Sequence, residues 1–275
     1  MNYLKLVLKA EEDVNDLLIA YLADYEFNGF SEEEDGLVAY IDEQNYTPDL
    51  QKYLEGLKEQ YKFSIEQTII QDQNWNAKWE ADYEPVLVDN FCAVRATFHE
   101  PINTVKHEIV VTPKMSFGTG HHATTYMMMK QMEVLSFKEK EVFDYGCGTG
   151  VLAILAQQLG AENLDAVDID HWAYENTLEN VEINNCQGAI QVYCGEIDAV
   201  PMRKYDVVLA NINRNVILNT MEAMAKRLKN GGFLLTSGFL EADIDLVTQA
   251  ATQNGLKAGR LLEREQWRCL LFSLS

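Results

Sequence analysis

The sequence has few cysteines, and none of them forms a closely spaced pair. The five are scattered along the chain, at Cys92, Cys147, Cys186, Cys194 and Cys269. A disulfide framework or a structural zinc site would need cysteines at short, characteristic spacings. The sequence therefore predicts neither disulfides nor a bound metal, and the expected location is the cytoplasm.

Positive charge is also scarce. The chain carries 22 Lys and Arg residues against 43 Asp and Glu residues, which gives a net charge of -21. Neutralising the phosphates of a nucleic acid requires clustered Lys and Arg, so this composition argues against direct nucleic-acid binding as the main function. The acidity is compatible with a basic protein partner, although a need for solubility explains it equally well.

Long apolar runs are absent too. No run approaches the roughly 20 residues that a membrane-spanning helix needs, and residues 1–5 do not open a signal-peptide pattern. No membrane association is therefore expected. A chain of 275 residues, 47% of them hydrophobic, is long enough for one large and one small domain.

The most informative segment is a glycine-rich turn between a predicted strand and a predicted helix. It reads D-Y-G-C-G-T-G over residues 144–150, with glycines at Gly146, Gly148 and Gly150. The next predicted strand ends at Asp168, at about the distance expected of a carboxylate that binds a ribose. This order of strand, glycine turn, helix and strand-end acid predicts a site for a nucleotide-like cofactor.

The spacing within this turn indicates which cofactor it holds. Dinucleotide-binding proteins use G-x-G-x-x-G, whereas here Asp144 precedes glycines at every second position. A carboxylate would repel a pyrophosphate but would favour a sulfonium and an amino group. The segment resembles the first motif of class I S-adenosylmethionine-dependent methyltransferases, and a NAD-binding Rossmann oxidoreductase is the alternative from another enzyme class.

The order of predicted elements divides the chain into two domains. Residues 1–71 follow the order strand, helix, strand, strand, helix, strand, which is typical of a small α+β ferredoxin-like domain and is a candidate for substrate recognition. Residues 72–90 are predicted to be a linker, with Trp75 and Trp79 on one face of a short packing helix. Residues 91–275 are predicted to be the second domain. From Glu141 onward it alternates strand and helix, which predicts an α/β, Rossmann-like, doubly wound sheet.

Ligands of such sheets bind at the carboxyl ends of the strands, so the loops there should line one crevice. Gly146 and Gly148 are expected to admit the methionine part of the cofactor, and Asp168 to accept hydrogen bonds from the ribose hydroxyls. Glu196 is either a contact to the adenine edge or a solvated loop acid. Asn211 follows the fourth strand, where its amide oxygen could hold an amine N–H of the methyl acceptor, or where it could only cap the next turn.

The histidine pair His121 and His122 lies in a loop with two glycines. Neighbouring side chains diverge on a regular element and no third ligand follows at a metal-binding spacing, so a metal site is not predicted. The loop is instead expected to cover the cofactor, with Thr124 or Thr125 starting a helix and its hydroxyl facing the ligand. His122 is a candidate general base, with a packing or loop histidine as the favoured interpretation.

Four segments together resemble the bacterial ribosomal protein methyltransferases of the PrmA type. They are F-G-T-G-H-H-A-T-T at 117–125, D-Y-G-C-G-T-G at 144–150, V-D-I-D at 167–170 and A-N-I at 210–212. The resemblance covers essentially the whole chain. It implies cofactor contacts by the residues that occupy the family's motif positions: Thr125, Gly146, Asp168 and Asn211. Asp144, Gly148, Gly150 and Glu196 are expected to complete the cofactor site.

The resemblance also implies an activity. It is transfer of methyl groups from S-adenosylmethionine, which becomes S-adenosylhomocysteine, to the N-terminal α-amine and lysine ε-amines of protein eleven of the large ribosomal subunit. The runner-up acceptors are another protein amine or a glutamine amide. An amide methyltransferase would be expected to carry Asn-Pro-Pro-aromatic, where this chain has N-I-N-R at 211–214. A module that only binds the cofactor is a further alternative.

Overall fold

A computed structural model of the protein describes residues 3–10, 12–33, 36–70, 83–114 and 117–275. The chain forms two compact units, Met1–Tyr83 and Glu84–Ser275. Most of the predicted linker, including Trp75 and Trp79, lies outside the described residues. Its last part lies in the second unit, where Val86–Val88 is a strand, and the domain bounds of 1–71, 72–90 and 91–275 stay a prediction.

The first unit has the predicted ferredoxin-like fold. Its strands form one antiparallel sheet in the order β2-β3-β1-β4. Leucines from both helices pack on the sheet in a single apolar core. The elements are β1 (Tyr3–Lys9), α1 (Glu12–Leu22), β2 (Phe27–Glu33), β3 (Gly36–Asp42), α2 (Pro48–Tyr61) and β4 (Ser64–Ile70).

Helix α2 illustrates how local sequence sets an element's bounds. The Thr47 side chain accepts a hydrogen bond from the Leu50 N–H, and Pro48 occupies the first turn, where its missing N–H costs nothing. The helix ends at Tyr61 because Lys62 adopts a left-handed conformation. The described residues contain no helix with the length and apolar character needed to span a membrane.

The second unit contains a seven-stranded sheet in the order β10-β9-β8-β11-β12-β14-β13 and a three-stranded sheet in the order β5-β6-β7. Its strands are β5 (Val86–Val88), β6 (Cys92–Ala96), β7 (His107–Val111), β8 (Glu141–Tyr145), β9 (Asn163–Asp168), β10 (Ile190–Cys194), β11 (Tyr205–Asn211), β12 (Leu228–Leu240), β13 (Leu256–Arg264) and β14 (Trp267–Leu274). Its helices are α3 (Ala123–Met132), α4 (Val151–Gln158), α5 (His171–Ile183), α6 (Arg214–Lys226) and α7 (Ile244–Gln253).

The large sheet confirms the doubly wound, Rossmann-like prediction. Strands β10, β9, β8, β11 and β12 are parallel; at one edge β14 pairs antiparallel with β12, and β13 pairs antiparallel with β14. Apolar cores cover both faces, one including α3 and α4 and the other α6 and α7. The chain order reverses between β8 and β11, and this switch point opens the crevice that such sheets use for ligands.

Side-chain amides at the end of helix α5 and directly after it form hydrogen bonds with the backbone beside β7. Asn176, Asn180 and Asn184 are four residues apart, so all three lie on one face of the helix. Asn184 accepts a hydrogen bond from the Val110 N–H at 3.0 Å and donates to the Val110 carbonyl, while Asn180 accepts from the Thr112 N–H at 2.8 Å. Asn176 donates to the Thr112 carbonyl at 3.1 Å. The backbone beside the β7 edge is therefore paired without a partner strand.

We expect Asn180→Ala to lower the free energy of unfolding by about 2–4 kcal/mol, because it leaves two backbone groups without partners. These are the Thr112 N–H and the Thr149 carbonyl, which accepts from Asn180 at 2.9 Å. Urea denaturation measures the change. Glu182→Ala, at an exposed position on the same helix, is the control and should change it by less than about 0.5 kcal/mol. Equal effects of the two substitutions would contradict the role given to Asn180.

Candidate functional site

A cavity of about 610 Å³ lies at the carboxyl ends of the central strands. Its size is in the range of small-molecule sites. The lining combines the glycine turn after β8, the loops after β9, β10 and β11, the start of α6 and the loop before α3. The lining residues are Phe117, His122, Thr124, Tyr145, Gly146, Gly148, Asp168, Ile169, Gly195, Glu196, Asn211, Ile212, Asn213, Val216, Asn219, Thr220, Gly238 and Trp267.

The glycine turn is packed so closely that side chains would not fit. Gly146 and Gly148 have φ angles of 75° and 58°, a region that favours glycine. A Cβ on Gly146 would lie 2.2 Å from Cγ2 of Ile212, and a Cβ on Gly148 would lie 2.2 Å from the carbonyl oxygen of Phe117. The turn thus contacts both the segment after β11 and the loop before α3.

The backbone N–H groups of this turn are already used within the protein. Those of residues 146 and 147 donate to the Val167 carbonyl, that of 149 to the Phe117 carbonyl and that of 150 to the Cys147 carbonyl. The N–H of residue 148 donates to the Asp168 carboxylate at 2.8 Å. A phosphate-binding turn keeps such donors free for its ligand. This turn therefore offers close backbone approach but no cradle for a pyrophosphate.

Among the predicted cofactor residues, Asp144 and Gly150 lie behind the glycine turn and, like Thr125, do not line the cavity. The Asp144 side chain is buried, and its Oδ2 accepts a hydrogen bond from the Ala153 N–H of helix α4 at 3.1 Å. Successive side chains of β8 point to opposite faces of the sheet, so Asp144 faces α4, and its predicted contact with the cofactor stays a prediction. Gly150 faces Thr177, where a Cβ would lie 2.8 Å from Cγ2. Asp144 and Gly150 therefore pack against α4 and Thr177 rather than facing the cavity.

Asp168 is fixed at the end of β9 by two backbone donors. Its Oδ2 accepts from the Gly148 N–H at 2.8 Å and its Oδ1 from the Asp170 N–H at 3.0 Å. A carboxylate oxygen can accept more than one hydrogen bond, so both remain able to accept from a ligand hydroxyl. Glu196 is exposed and lines the same cavity. This side of the cavity suits a ligand with adjacent hydroxyl groups.

The amide nitrogen of Asn211 has a hydrogen-bond partner, but its amide oxygen has none among the described residues. Its Nδ2 donates to Oγ1 of Thr125 at 3.1 Å. Its Oδ1 is buried and has no hydrogen-bond partner among the described residues. A buried polar atom without a partner is costly, so this oxygen marks a place for a donor from a ligand. Thr125 is only 1% exposed and does not line the cavity; its predicted contact with the cofactor stays a prediction.

His122 caps the helix that follows it. Its Nδ1 accepts from the Thr124 N–H at 3.3 Å, and its ring packs edge-on against Phe117 and Trp267, with centroids 5.1 Å and 4.9 Å away. Nδ1 also lies 2.7 Å from Oγ1 of Thr124, so this nitrogen contacts the start of the helix. This geometry favours the packing interpretation of His122.

His121 is not placed to share a ligand with His122. Its Nε2 donates to the carbonyl of Glu84 at 2.8 Å. Across the ranges that the structure describes, no three His, Cys, Asp or Glu side chains are grouped so as to hold a metal ion.

Several lining residues were not predicted as site residues. Val216, Asn219 and Thr220 occupy one face of α6, at the i, i+3, i+4 spacing, and Gly238 interrupts the parallel strand β12. The rule that ligands bind at carboxyl ends of strands could have found Gly238. Tyr145 points to the α6 face; burial first, and then the nearby acids Glu196, Asp168 and Asp198, raise its pKa, which Thr220 lowers.

The buried Asp144 predicts a pH-dependent stability. Burial, and then the negative charge of Asp168, raise the pKa of Asp144 to about 7, although the Ala153 N–H lowers it. An acid whose folded-state pKa is raised stabilises the fold fully below its unfolded pKa of about 3.9, and this stabilisation is lost as pH rises through the folded value. Asp144→Asn cannot ionise and keeps an oxygen for the Ala153 N–H.

We therefore expect the difference in unfolding free energy between Asp144→Asn and the parent protein to change with pH. Raising the pH from about 5 to about 8 should shift this difference by about 2–3 kcal/mol in favour of the variant. Urea denaturation at both pH values measures the difference. The exposed Asp245 provides the control variant, Asp245→Asn, for which little pH-dependent difference is expected. A constant difference between Asp144→Asn and the parent protein at both pH values would argue against a raised pKa.

Comparison with known proteins agrees with this geometry. A family model described as "Ribosomal protein L11 methyltransferase (PrmA)" matches residues 11–274. The ribosomal protein L11 methyltransferase of Porphyromonas gingivalis is 40% identical over 272 residues, which cover 95% of this chain and 91% of that protein. The protein of the same name from Bacteroides thetaiotaomicron is 36% identical over 271 residues, with 95% of each chain covered.

Comparison with a solved structure points to the same family. The crystal structure of the ribosomal protein L11 methylase from Lactobacillus delbrueckii subsp. bulgaricus is 26% identical and has a TM-score of 0.64, and the match covers 70% of this chain and 99% of that one. The chain thus belongs to the ribosomal protein L11 methyltransferase (PrmA) family of S-adenosylmethionine-dependent enzymes.

Proposed function

We propose that this protein transfers methyl groups from S-adenosylmethionine to ribosomal protein L11, at the N-terminal α-amine and at lysine ε-amines. The observation that carries the proposal is that Asn211, whose buried Oδ1 has no hydrogen-bond partner among the described residues, lines the cavity beside the glycine turn. Relatives that match over nearly their full length are named for methylation of L11. The choice of amines on L11 is part of the proposal.

The cavity residues fit S-adenosylmethionine. Gly146 and Gly148 would allow close approach of its methionine part, Asp168 would accept hydrogen bonds from its ribose hydroxyls, and Glu196 would lie toward the adenine edge. When bound, the cofactor supplies a sulfonium methyl group, whose transfer leaves the neutral thioether S-adenosylhomocysteine and displaces one proton from the acceptor nitrogen to water. A site lined by acids suits a cationic donor.

Asn211 would orient the acceptor amine. Its Oδ1 accepts an N–H of the amine, which directs the nitrogen lone pair away from that oxygen. A free lysine with a pKa of about 10.4 is mostly protonated at neutral pH, so the site must favour the neutral amine. Removal of water from the amine by the apolar lining has this effect. Orientation, rather than proton abstraction by a side chain, is the proposed contribution of this chain.

The proposed substrate has consequences for partner and compartment. Ribosomal proteins are basic and are made in the cytoplasm, so the proposal places the protein there. The net charge of -21 suits a basic protein substrate. Direct contact with nucleic acid is not part of the proposal.

Incubation of the full chain with labelled S-adenosylmethionine and purified L11 tests the proposal. We expect the mass of L11 to increase in steps of one methyl group, and peptide mapping to place the methyl groups on the N-terminal amine and on lysines. A second basic ribosomal protein is the control acceptor. Methylation of another protein but not of L11, or of a glutamine amide in L11, would overturn the substrate or the acceptor group respectively.

Asn211→Ala should lower kcat for L11 methylation by about a hundredfold, since the amine loses its orienting contact. The dissociation constant of S-adenosylhomocysteine should change much less. Asn230→Ala, at an exposed position outside the cavity lining, is the matched control and should retain the parent kcat. A parent-like kcat for Asn211→Ala would rule out the orienting role.

The paired N–H groups of the glycine turn also make a prediction about cofactor choice. Calorimetric titration should detect binding of S-adenosylhomocysteine and not of NAD, because the turn has no free backbone donors for a pyrophosphate. Comparable binding of NAD would favour the oxidoreductase alternative.

A further inference from the structure

We propose that Thr149 is a positioning residue for cofactor binding: it holds the loop of residues 117–122 against the glycine turn, and so keeps the Phe117 ring in place at the cavity. The inference rests on the proposed binding of S-adenosylmethionine in this cavity, and it does not depend on which protein is methylated. It assigns a role to a residue of the turn that does not itself line the cavity.

Thr149 holds the loop through two hydrogen bonds whose directions are fixed. Its backbone N–H donates to the carbonyl of Phe117 at 3.0 Å, and its hydroxyl donates to the carbonyl of Gly118 at 2.8 Å. A carbonyl oxygen can only accept, so Thr149 is the donor in both bonds. One residue of the turn therefore binds two successive carbonyls of the loop.

The loop and the turn also pack closely where these bonds form. A Cβ on Gly118 would lie 3.0 Å from Oγ1 of Thr149, and a Cβ on Gly148 would lie 2.2 Å from the carbonyl oxygen of Phe117. Both glycines have positive φ angles, of 108° and 58°, a region that favours glycine. The absence of a side chain on each segment lets the two backbones come within hydrogen-bond distance.

Thr149 is itself held by helix α5. It is fully buried, and its carbonyl accepts a hydrogen bond from Nδ2 of Asn180 at 2.9 Å. The neighbouring carbonyl of Gly148 accepts from the hydroxyl of Thr177, on the same helix, at 2.8 Å. Asn180 and Thr177 are also fully buried. Since packed core side chains have little freedom to shift, Thr149 is a fixed point of attachment for the loop.

The loop contributes aromatic rings to the cavity. Phe117 lines the cavity and is 53% exposed. Its ring lies edge-on to that of His122, with the centroids 5.1 Å apart, and the His122 ring packs in the same way against Trp267 at 4.9 Å. An exposed aromatic ring stabilises a complex when a ligand covers it. The position of the Phe117 ring therefore affects how well a ligand binds.

A loop that is ordered before the ligand arrives favours tight binding. Ordering a loop during binding costs free energy and so weakens the affinity. The two bonds from Thr149 order the loop when the protein folds. Because Thr149 is fully buried and does not line the cavity, loss of its hydroxyl should weaken cofactor binding without the removal of a contact to the ligand.

Removal of the hydroxyl tests the inference. Thr149→Val keeps the side-chain shape and the backbone bond to Phe117. It should raise the dissociation constant of S-adenosylhomocysteine about fivefold, the effect of one lost hydrogen bond. Thr149→Ala also lacks the hydroxyl and should weaken binding at least as much, which provides a second variant if valine impairs folding. Thr149→Ser restores the hydroxyl and should recover most of the affinity.

The control is Thr236→Val, which removes a buried hydroxyl that bonds the Leu270 carbonyl outside the cavity lining. It should leave the dissociation constant unchanged. Urea denaturation of every variant separates positioning from a purely structural role. A lower free energy of unfolding for Thr149→Val and Thr149→Ala, together with a parent-like dissociation constant, would overturn the inference.

A double-mutant cycle tests whether Thr149 acts through the Phe117 ring. Phe117→Ala removes an exposed side chain and should raise the dissociation constant of S-adenosylhomocysteine about tenfold. In that background Thr149→Val should cause little further loss, because the loop no longer carries the ring. If Thr149→Val weakened binding by the same factor with and without Phe117, the inference would be wrong.

The outcomes also separate this inference from the proposed function. If the parent protein binds S-adenosylhomocysteine but does not methylate L11, the proposed function fails, and the same dissociation constants still decide the role of Thr149. If L11 is methylated and the Thr149 variants bind S-adenosylhomocysteine as the parent protein does, the inference alone fails. An absence of S-adenosylhomocysteine binding by the parent protein would overturn both.

Discussion

The structure of the site depends on one packing constraint, the absence of side chains at the glycines that meet the segment after β11. Gly146 contacts Ile212 from the turn after β8, and Gly238 contacts it from strand β12, each at a distance where a Cβ would overlap. Three neighbouring strand ends are therefore locked into one arrangement. Because proteins pack at the density of crystals, a shift of one of these segments would have to move the others. Because Asn211 directly precedes Ile212, the same contacts also restrict the position of the Asn211 backbone.

The second feature of the site is the direction of the hydrogen bonds that the groups around the glycine turn can form. Oδ1 of Asn211 and the Asp168 carboxylate can each accept from a ligand, whereas the backbone N–H groups of residues 146–150 are all paired inside the protein. Such a surface suits a ligand that brings donors, such as a diol or an amine. It does not suit a pyrophosphate, which brings only acceptors and negative charge. The selection between cofactor classes thus follows from hydrogen-bond direction as well as from charge.

Topology made much of this predictable from the sequence. The turn at Gly146 and Gly148, Asp168 after β9 and Asn211 after β11 come together because parallel strands end at one edge of the sheet. Asp144 and Thr125 are different, because which side of a strand or helix faces a cavity depends on packing. Asp144 points to α4, and α3 begins at Ala123, one or two residues before the predicted start at Thr124 or Thr125, with Thr125 hydrogen-bonded to Asn211. The three α6 residues in the cavity lining could not be predicted from local sequence, since their position depends on how that helix packs on the sheet.

His122 and Asn211, the two residues predicted to be catalytic, differ in how their side chains are held. Both line the cavity, but His122 uses Nδ1 to cap α3 and packs its ring between Phe117 and Trp267. Asn211 keeps its oxygen free and fixes its nitrogen on Thr125. A base would have to release and regain a proton in each cycle, whereas a fixed amide oxygen needs only to be held in one orientation. A methyl group moves to nitrogen without an oxidant and without prior proton transfer from a side chain, provided the amine arrives neutral. For that reaction a rigid acceptor oxygen supplies orientation at no cost of reorganisation.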